Sequence, residues 1–353
     1  MKRKKLLYIG NALGHKGMTP TTIHTLSQHL RDIGFEVSVA SGYHSKPLRL
    51  LHMLWSVITH KNTVDAVLID TYSTTNFWYA VWVARLCRLF KIPYYPILHG
   101  GDLPKRLVNN PQQSQRLFGG ARSNIAPSSY LMHAFTKPSL QASHPEGAQS
   151  DTPQFDNLIH IPNSITLADY HFKKRTDLRP RLLWVRAFGE IYNPMLALKV
   201  FTNIVKEYPE ARLCMVGPKK DESFEKCKAY ATAHKLAVDF TGRLSKAEWI
   251  ALSQDYDIFL NTTTVDNTPV SLIEAMALGL PIVTTDVGGI PFLVQDQKQA
   301  LLVASDSVEQ MVTAIKKLLE EPKLGQQLSE AGRDKALGYD WESVKSLWLK
   351  VLS

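Results

Sequence analysis

Two series of short apolar runs, each run separated from the next by a helix-patterned stretch, restrict the fold of this chain more than any other feature. The first series is Leu6–Gly10, Glu36–Ala40, Ala66–Asp70, Tyr94–Leu98, Asn124–Ala126 and Leu158–Ile161. The second is Arg181–Val185, Arg212–Val216, Val238–Thr241, Asp257–Leu260, Pro281–Thr284 and Ala300–Val303. Helical patterns such as Thr21–Asp32 and Phe77–Phe90 lie between the runs. Strands alternating with helices of this length build parallel sheets from right-handed βαβ units. The expectation is an α/β chain of two doubly wound, Rossmann-like domains facing one another across a cleft. At 353 residues the chain has room for both cores. The polar stretch Gln141–Asn157, with Pro145, Gly147 and Pro153, reads as a loop near the end of the first domain. We therefore expect domains at 1–168 and 169–338. A last helix, within 339–353, is expected to pack back toward the N-terminal domain.

The remaining totals exclude several classes. Lys and Arg outnumber Asp and Glu by 41 to 32, a net charge of +9 that favours anionic partners without choosing among them. The basic residues are dispersed, which argues against a nucleic-acid surface. Cys87, Cys214 and Cys227 form neither a CxxC pair nor a metal-ligand spacing, so reduced thiols in the cytoplasm are expected. The basic start Lys2–Lys5 precedes an apolar run too short for a signal peptide, and no stretch approaches a membrane span.

Chemistry concentrates in Val265–Pro291, VDNTPVSLIEAMALGLPIVTTDVGGIP. A helix is expected from about Pro269, with Thr268 as its N-cap, and Gly279 should end it before the strand opened by Pro281. Asp266 lies ahead of that helix and Glu274 inside it, both beyond the strand Asp257–Leu260. The carboxyl ends of strands are where open α/β sheets bind ligands. A carboxylate can accept two hydrogen bonds from a ribose diol, while the free amides of the helix start, around Thr268, Pro269, Val270 and Ser271, favour phosphates. A nucleotide-sugar site needs both.

The pattern acidic-x7-Glu followed by AMALGLPIVTTDVGGIP resembles the signature of glycosyltransferase family 4. IPNSITLADY (Ile161–Tyr170), FTGRLSKAEWIALSQDYDIFL (Phe240–Leu260) and ILHGGDLP (Ile97–Pro104) are similar to further stretches of that family. The resemblance implies the GT-B fold and retaining transfer of a hexose or N-acetylhexosamine from a nucleotide-diphosphate sugar to a glycan or lipid-linked acceptor, in bacterial surface polysaccharide synthesis. It implies that Glu274 binds the donor ribose, Asp266 the transferred sugar, and that His99 lines the sugar pocket. It also places Gly14 and Gly17 in the loop Asn11–Met18 near the donor phosphates. The family has a glycine-arginine pair and a lysine against the diphosphate. Here WVRAFGEIYNP (Trp184–Pro194) supplies Arg186, and Tyr192 stands near the place of the lysine. Lys219 and Lys220 are substitutes to weigh. With no evident nucleophile, the family implies a reaction without metal or other cofactor, in which the leaving diphosphate serves as base.

Ordinary structural roles compete with each assignment. Asp266 can serve an Asx turn with Asn267, Arg186 can pair with Glu190, and His99 can be a satisfied core histidine. The stretch Ser45–Lys61, SKPLRLLHMLWSVITHK, reads as core packing or as a basic amphipathic face touching anionic lipid on the inner face of the membrane. At the level of function, a non-catalytic transferase-like subunit and a GT-B epimerase stand beside the transferase. A dinucleotide oxidoreductase is disfavoured by GNALGHKG, which lacks GxGxxG after the first strand.

Overall fold

The computed structural model describes residues 3–12, 22–136 and 152–353. These form two compact units, Met1–Pro162 and Asn163–Ser353. The first holds six strands, β1 (Lys5–Ile9), β2 (Glu36–Ala40), β3 (Ala66–Thr71), β4 (Tyr94–Leu98), β5 (Asn124–Ala126) and β6 (Leu158–His160), in the sheet order β2-β1-β3-β4-β5-β6. The second holds β7 (Arg181–Val185), β8 (Arg212–Val216), β9 (Val238–Gly242), β10 (Ile258–Asn261), β11 (Ile282–Thr285) and β12 (Leu301–Val303), in the order β12-β11-β10-β7-β8-β9. All the pairings are parallel. Each strand lies within one residue of its sequence-based bounds. Strand order reverses between β1 and β3 in the first sheet and between β7 and β10 in the second.

The strands read as unbroken apolar runs because helices cover both faces of each sheet. All six residues of β3 are buried, as are all four of β10 and of β11. The helix Pro194–Glu207 illustrates how local signals set the covering layer. Asn193, in the left-handed region at φ 44°, caps it by accepting from the Leu196 amide, and Pro194 opens the first turn. Its inner face, with Leu196, Val200, Phe201 and Ile204, packs with Trp184, Phe188 and Met215. The three cysteines occupy three different apolar clusters. Burial pushes the Cys87 and Cys227 thiols up to about 12 and Cys214 to about 11, so all three are poor nucleophiles.

The division between the units falls earlier than residue 168. The segment after Pro162 is fastened to the second unit by bonds that its sequence does not announce. Ile165 bridges to Asp340, its amide donates to the Tyr339 carbonyl, and its carbonyl receives the Trp341 amide at 2.8 Å. The Leu167 amide donates to Asp340 Oδ1 at 3.1 Å. These bonds anchor the start of the terminal helix Trp341–Leu352 in the second unit. Residues 141–151 of the expected polar loop lie outside the described residues.

Arg175 is the main fastening. Its buried guanidinium donates to the carbonyls of Lys173, Ser253, Tyr256 and Leu278 at 2.8–3.1 Å, with Asp257 at 3.8 Å. Burial lowers Arg175 to about 10, Asp257 opposing, yet it stays charged at neutral pH. Arg175→Met leaves buried acceptors without a donor and should lower stability by about 3 kcal/mol. Urea unfolding followed by circular dichroism tests this; a change within about 0.5 kcal/mol would make the network dispensable.

Candidate functional site

In the second unit, β10 runs into a loop that is tied down before the helix Val270–Ala277 begins. Thr262 Oγ1 donates to the Tyr192 carbonyl and receives the Trp184 indole N–H. Thr263 and Thr264 bond to the Ile191 carbonyl, and Thr285 Oγ1 donates to the Thr263 carbonyl at 2.6 Å. Gly288 and Gly289 then lie against the same loop. A Cβ at Gly288 would sit 2.2 Å from the Asp266 carbonyl oxygen, and one at Gly289 would sit 1.9 Å from that of Asn267. The Gly289 amide donates to the Asp266 carbonyl at 2.9 Å. The two glycines are thus required by the position of Asp266.

Asp266 forms an ion pair with Arg186, and its other oxygen accepts from the Asn267 amide at 2.9 Å. That bond goes to the adjacent amide, not to the one two residues on that an Asx turn uses, and it coexists with the ion pair. Arg186 pairs with Asp266 instead of Glu190, whose amide donates to Asp221. The Arg186 backbone is held by the Val216 carbonyl and by the approach of Gly217, where a Cβ would meet the Arg186 carbonyl oxygen at 1.7 Å. The guanidinium lies 4.8 Å over the Tyr192 ring, and the Lys220 ammonium lies 5.2 Å from the centre of that same ring. Lys219 instead pairs with Glu225. Tyr192 therefore gathers two cations at the place where the sequence lacks the expected lysine.

The helix itself corrects one expectation. Pro269, at φ −66° and ψ 112°, is the N-cap, and Thr268 does not cap. Proline offers no side-chain acceptor; its carbonyl takes the Leu272 amide at 3.0 Å, and the first-turn amides receive no side-chain cap. Thr268 Oγ1, Ser271 Oγ and Arg186 Nε are buried without hydrogen-bond partners among the described residues. Each such atom costs about 1–3 kcal/mol of lost hydration, and three along one loop and its paired arginine mark a place prepared for a polar ligand.

Glu274, one turn further, is 4% exposed. Its Oε1 accepts from the Tyr170 hydroxyl at 2.8 Å and contacts the Lys246 ammonium. Burial raises the Tyr170 phenol, helped by Asp169, so it remains a neutral donor. Lys246 keeps nearly half of its side chain in water. Burial lowers its ammonium to about 8, while Asp169 pulls the other way. The capping box of Ser245 with Glu248 starts the helix Lys246–Leu252 and so fixes where Lys246 stands.

In the first unit, His99 and Asp70 meet at the carboxyl ends of β4 and β3. Parallel register places Thr71 opposite Leu98, and the His99 amide donates to the Thr71 carbonyl. His99 Nε2 lies 2.7 Å from Asp70 Oδ1, which also accepts from the Tyr8 hydroxyl at 2.8 Å. The carboxylate oxygen accepts, so Nε2 is a protonated nitrogen. Tyr72 stacks on the imidazole at 5.0 Å, and burial and the Asp70 charge raise both the Tyr8 and Tyr72 phenols. Gly10 makes room for the carboxylate, since a Cβ there would lie 2.5 Å from Asp70 Oδ2. Gly14 and Gly17 lie outside the described residues. Among the described residues there is no group of three or more metal-ligating side chains, and no helix is long and apolar enough to cross a membrane.

Two doubly wound parallel sheets, with charged side chains gathered at strand ends, make an α/β architecture of the GT-B type. Residues 169–335 match the family described as glycosyl transferases, group 1, so the second unit carries a domain of that family. Similar proteins include an uncharacterized glycosyltransferase of Haemophilus influenzae, 30% identical over 44% of this chain and 44% of its own. A D-inositol 3-phosphate glycosyltransferase of Segniliparus rotundus is 29% identical over 69% of this chain and 54% of its own. A third is the N,N'-diacetylbacillosaminyl-diphospho-undecaprenol alpha-1,3-N-acetylgalactosaminyltransferase of Campylobacter jejuni, 28% identical over 48% of this chain and 42% of its own. The chain thus spans about half or less of the length of these relatives. Among solved structures, Anabaena HepE with UDP and glucose matches with a TM-score of 0.75 at 15% identity. Sucrose-phosphate synthase of Thermosynechococcus elongatus matches with 0.78 at 16%, and both cover 99% of each chain. At these identities the likeness establishes the fold.

Tyr170, Lys246, Asp70 and Tyr8 complete the two charged clusters and were not singled out by sequence. Asp70 had a local signal, a carboxylate closing an apolar strand, and Lys246 sits in a readable capping box. Tyr170 had none, because its partner is 104 positions away. Gly289→Ala should cost about 2 kcal/mol by forcing the Asp266 loop aside. Gly338→Ala, whose Cβ would meet only Lys335 O at 3.5 Å, is the control. Equal urea midpoints for the two variants would contradict the close-packing account.

Proposed function

We propose that the protein is a retaining glycosyltransferase that moves a hexose or N-acetylhexosamine from a nucleotide-diphosphate sugar to a glycan or lipid-linked glycan, in bacterial surface polysaccharide synthesis. The observation that carries this reading is the second unit's loop and helix: Arg186 on Asp266, the unpartnered Thr268 and Ser271 hydroxyls, and buried Glu274 one turn on. The solved complex of HepE with UDP-glucose supports the donor class. The Campylobacter relative, named for transfer of N-acetylgalactosamine onto a diphospho-undecaprenol-linked sugar, supports the acceptor class.

In this reading Glu274 accepts the two ribose hydroxyls, and the Thr268 and Ser271 hydroxyls with the amides of Val270 and Ser271 receive phosphate oxygens. Asp266 holds the transferred sugar, and in the first unit His99 keeps the sugar contact that the family resemblance implies. The bond from C1 to the diphosphate oxygen breaks as charge builds on the diphosphate. Arg186 and Lys220, gathered on Tyr192, neutralise that charge in the role a metal ion takes elsewhere. The acceptor hydroxyl bonds to C1 on the face being vacated and passes its proton to the departing phosphate oxygen, so configuration is kept.

Titration calorimetry with UDP- and GDP-sugars tests donor binding. Glu274→Ala should weaken binding at least about tenfold, the loss of one or two charge-assisted hydrogen bonds. Undiminished binding by a folded Glu274→Ala variant, or none by the wild type, rejects the assignment. Donor binding without nucleotide release in any membrane extract would favour the non-catalytic subunit.

The cation assignment has its own test in rates of nucleotide release. Lys220→Met should lower kcat roughly tenfold with little change in KM, whereas Lys219→Met should leave both unaltered. Equal losses in the two variants would remove Lys220 from the site.

A further inference from the structure

Two neighbouring helices of the first unit carry a second apolar stripe, on the side turned away from the core. The helix Lys46–His60 buries Met53 and Val57 inward. On its outer side Leu48, Leu51, Trp55 and Ile58 follow one another at helical spacing, with Leu51 61% and Trp55 63% exposed. The helix Asn76–Leu89 buries Phe77, Ala80, Val83 and Ala84. Trp78 and Trp82, four positions apart, remain 38% and 45% exposed. The Tyr79 hydroxyl donates to the Lys46 carbonyl at 3.4 Å, joining the two helices. Large apolar side chains clustered this way on a surface are uncommon unless something covers them.

Along the two helices and their flanks in sequence the charges are of one sign. No Asp or Glu occurs from residue 43 to 64 or from 71 to 101, while Lys46, Lys61, Arg85, Arg88 and Lys91 do. The Arg85 guanidinium lies 5.4 Å from the Trp82 ring centre and the Lys61 ammonium 4.9 Å from that of Phe90, so cations stand directly on the aromatic border. Arg49 is spent internally, on the Tyr43 and His44 carbonyls and Asn11. Aromatic rings with flanking Lys and Arg, and no carboxylate among them, match the layering of a bilayer surface. Acyl chains there lie beneath anionic headgroups.

We infer that this two-helix face docks on an anionic lipid surface, with Leu48, Leu51, Trp55 and Ile58 entering the headgroup boundary beside Trp78 and Trp82. The inference does not rest on transferase activity, and its test needs no nucleotide. The docking would bring the protein to acceptors carried on lipid.

The test is co-sedimentation with vesicles of phosphatidylcholine alone or mixed with phosphatidylglycerol, together with the tryptophan emission maximum. The wild type should bind the mixed vesicles, shift its emission to the blue, and be released by high salt. Leu51→Ser with Trp55→Ser should abolish binding while thermal unfolding is unchanged, because both side chains are exposed. Lys46→Glu or Lys61→Glu should weaken binding roughly fivefold or more each, and Lys199→Glu, in the second unit, should leave it intact. Failure to bind, or equal binding to both vesicle types that survives the double variant, overturns the inference. So does wild-type self-association by light scattering that the double variant abolishes, which would assign the face to a second copy of the chain.

Discussion

A carboxylate withdrawn from water has to be met by donors, and the second unit is organised around meeting Glu274. The helix Val270–Ala277 buries every residue from Ser271 to Ala277, so Glu274 has no escape to solvent along its own helix. Its donors come from two distant pieces of chain. Tyr170 arrives on the segment that Arg175 and Asp340 fasten down, and Lys246 arrives at the start of a helix fixed by the Ser245–Glu248 capping box. Moving either piece would strand the charge. This is the physical reason that residues 163–179 belong with the second sheet, although by position they look like a connection.

The first unit solves the same problem with Asp70. Parallel register brings the ends of β3 and β4 together, and Tyr8 from β1 and His99 from the end of β4 both point donors at one oxygen. In both units the charged group stands at the carboxyl end of the sheet, where helix starts and loops converge and where ligands of open α/β folds are held. Glycines make the approach possible: Gly10 beside Asp70, and Gly288 and Gly289 beside Asp266.

The sheets were legible in the sequence because parallel strands covered on both faces leave continuous apolar runs, and those runs have sharp edges. The helix after Asp266 was legible too, from Pro269 and Gly279. What escaped was everything that depends on contact between distant positions. Tyr170 on Glu274, Arg186 on Asp266 in place of Glu190, and the clasp of Arg175 on four carbonyls are products of the folded chain. Thr268 misled for a local reason, since it has a capping residue's chemistry one position too early for a helix whose cap is proline.

Tyr192 couples the exits of two paired strands, β7 and β8. Its ring meets the Arg186 guanidinium at 4.8 Å and the Lys220 ammonium at 5.2 Å. The positive potential at that corner is therefore a joint property of three side chains. A change at residue 192 would loosen two cations at once while leaving the net charge of the chain untouched.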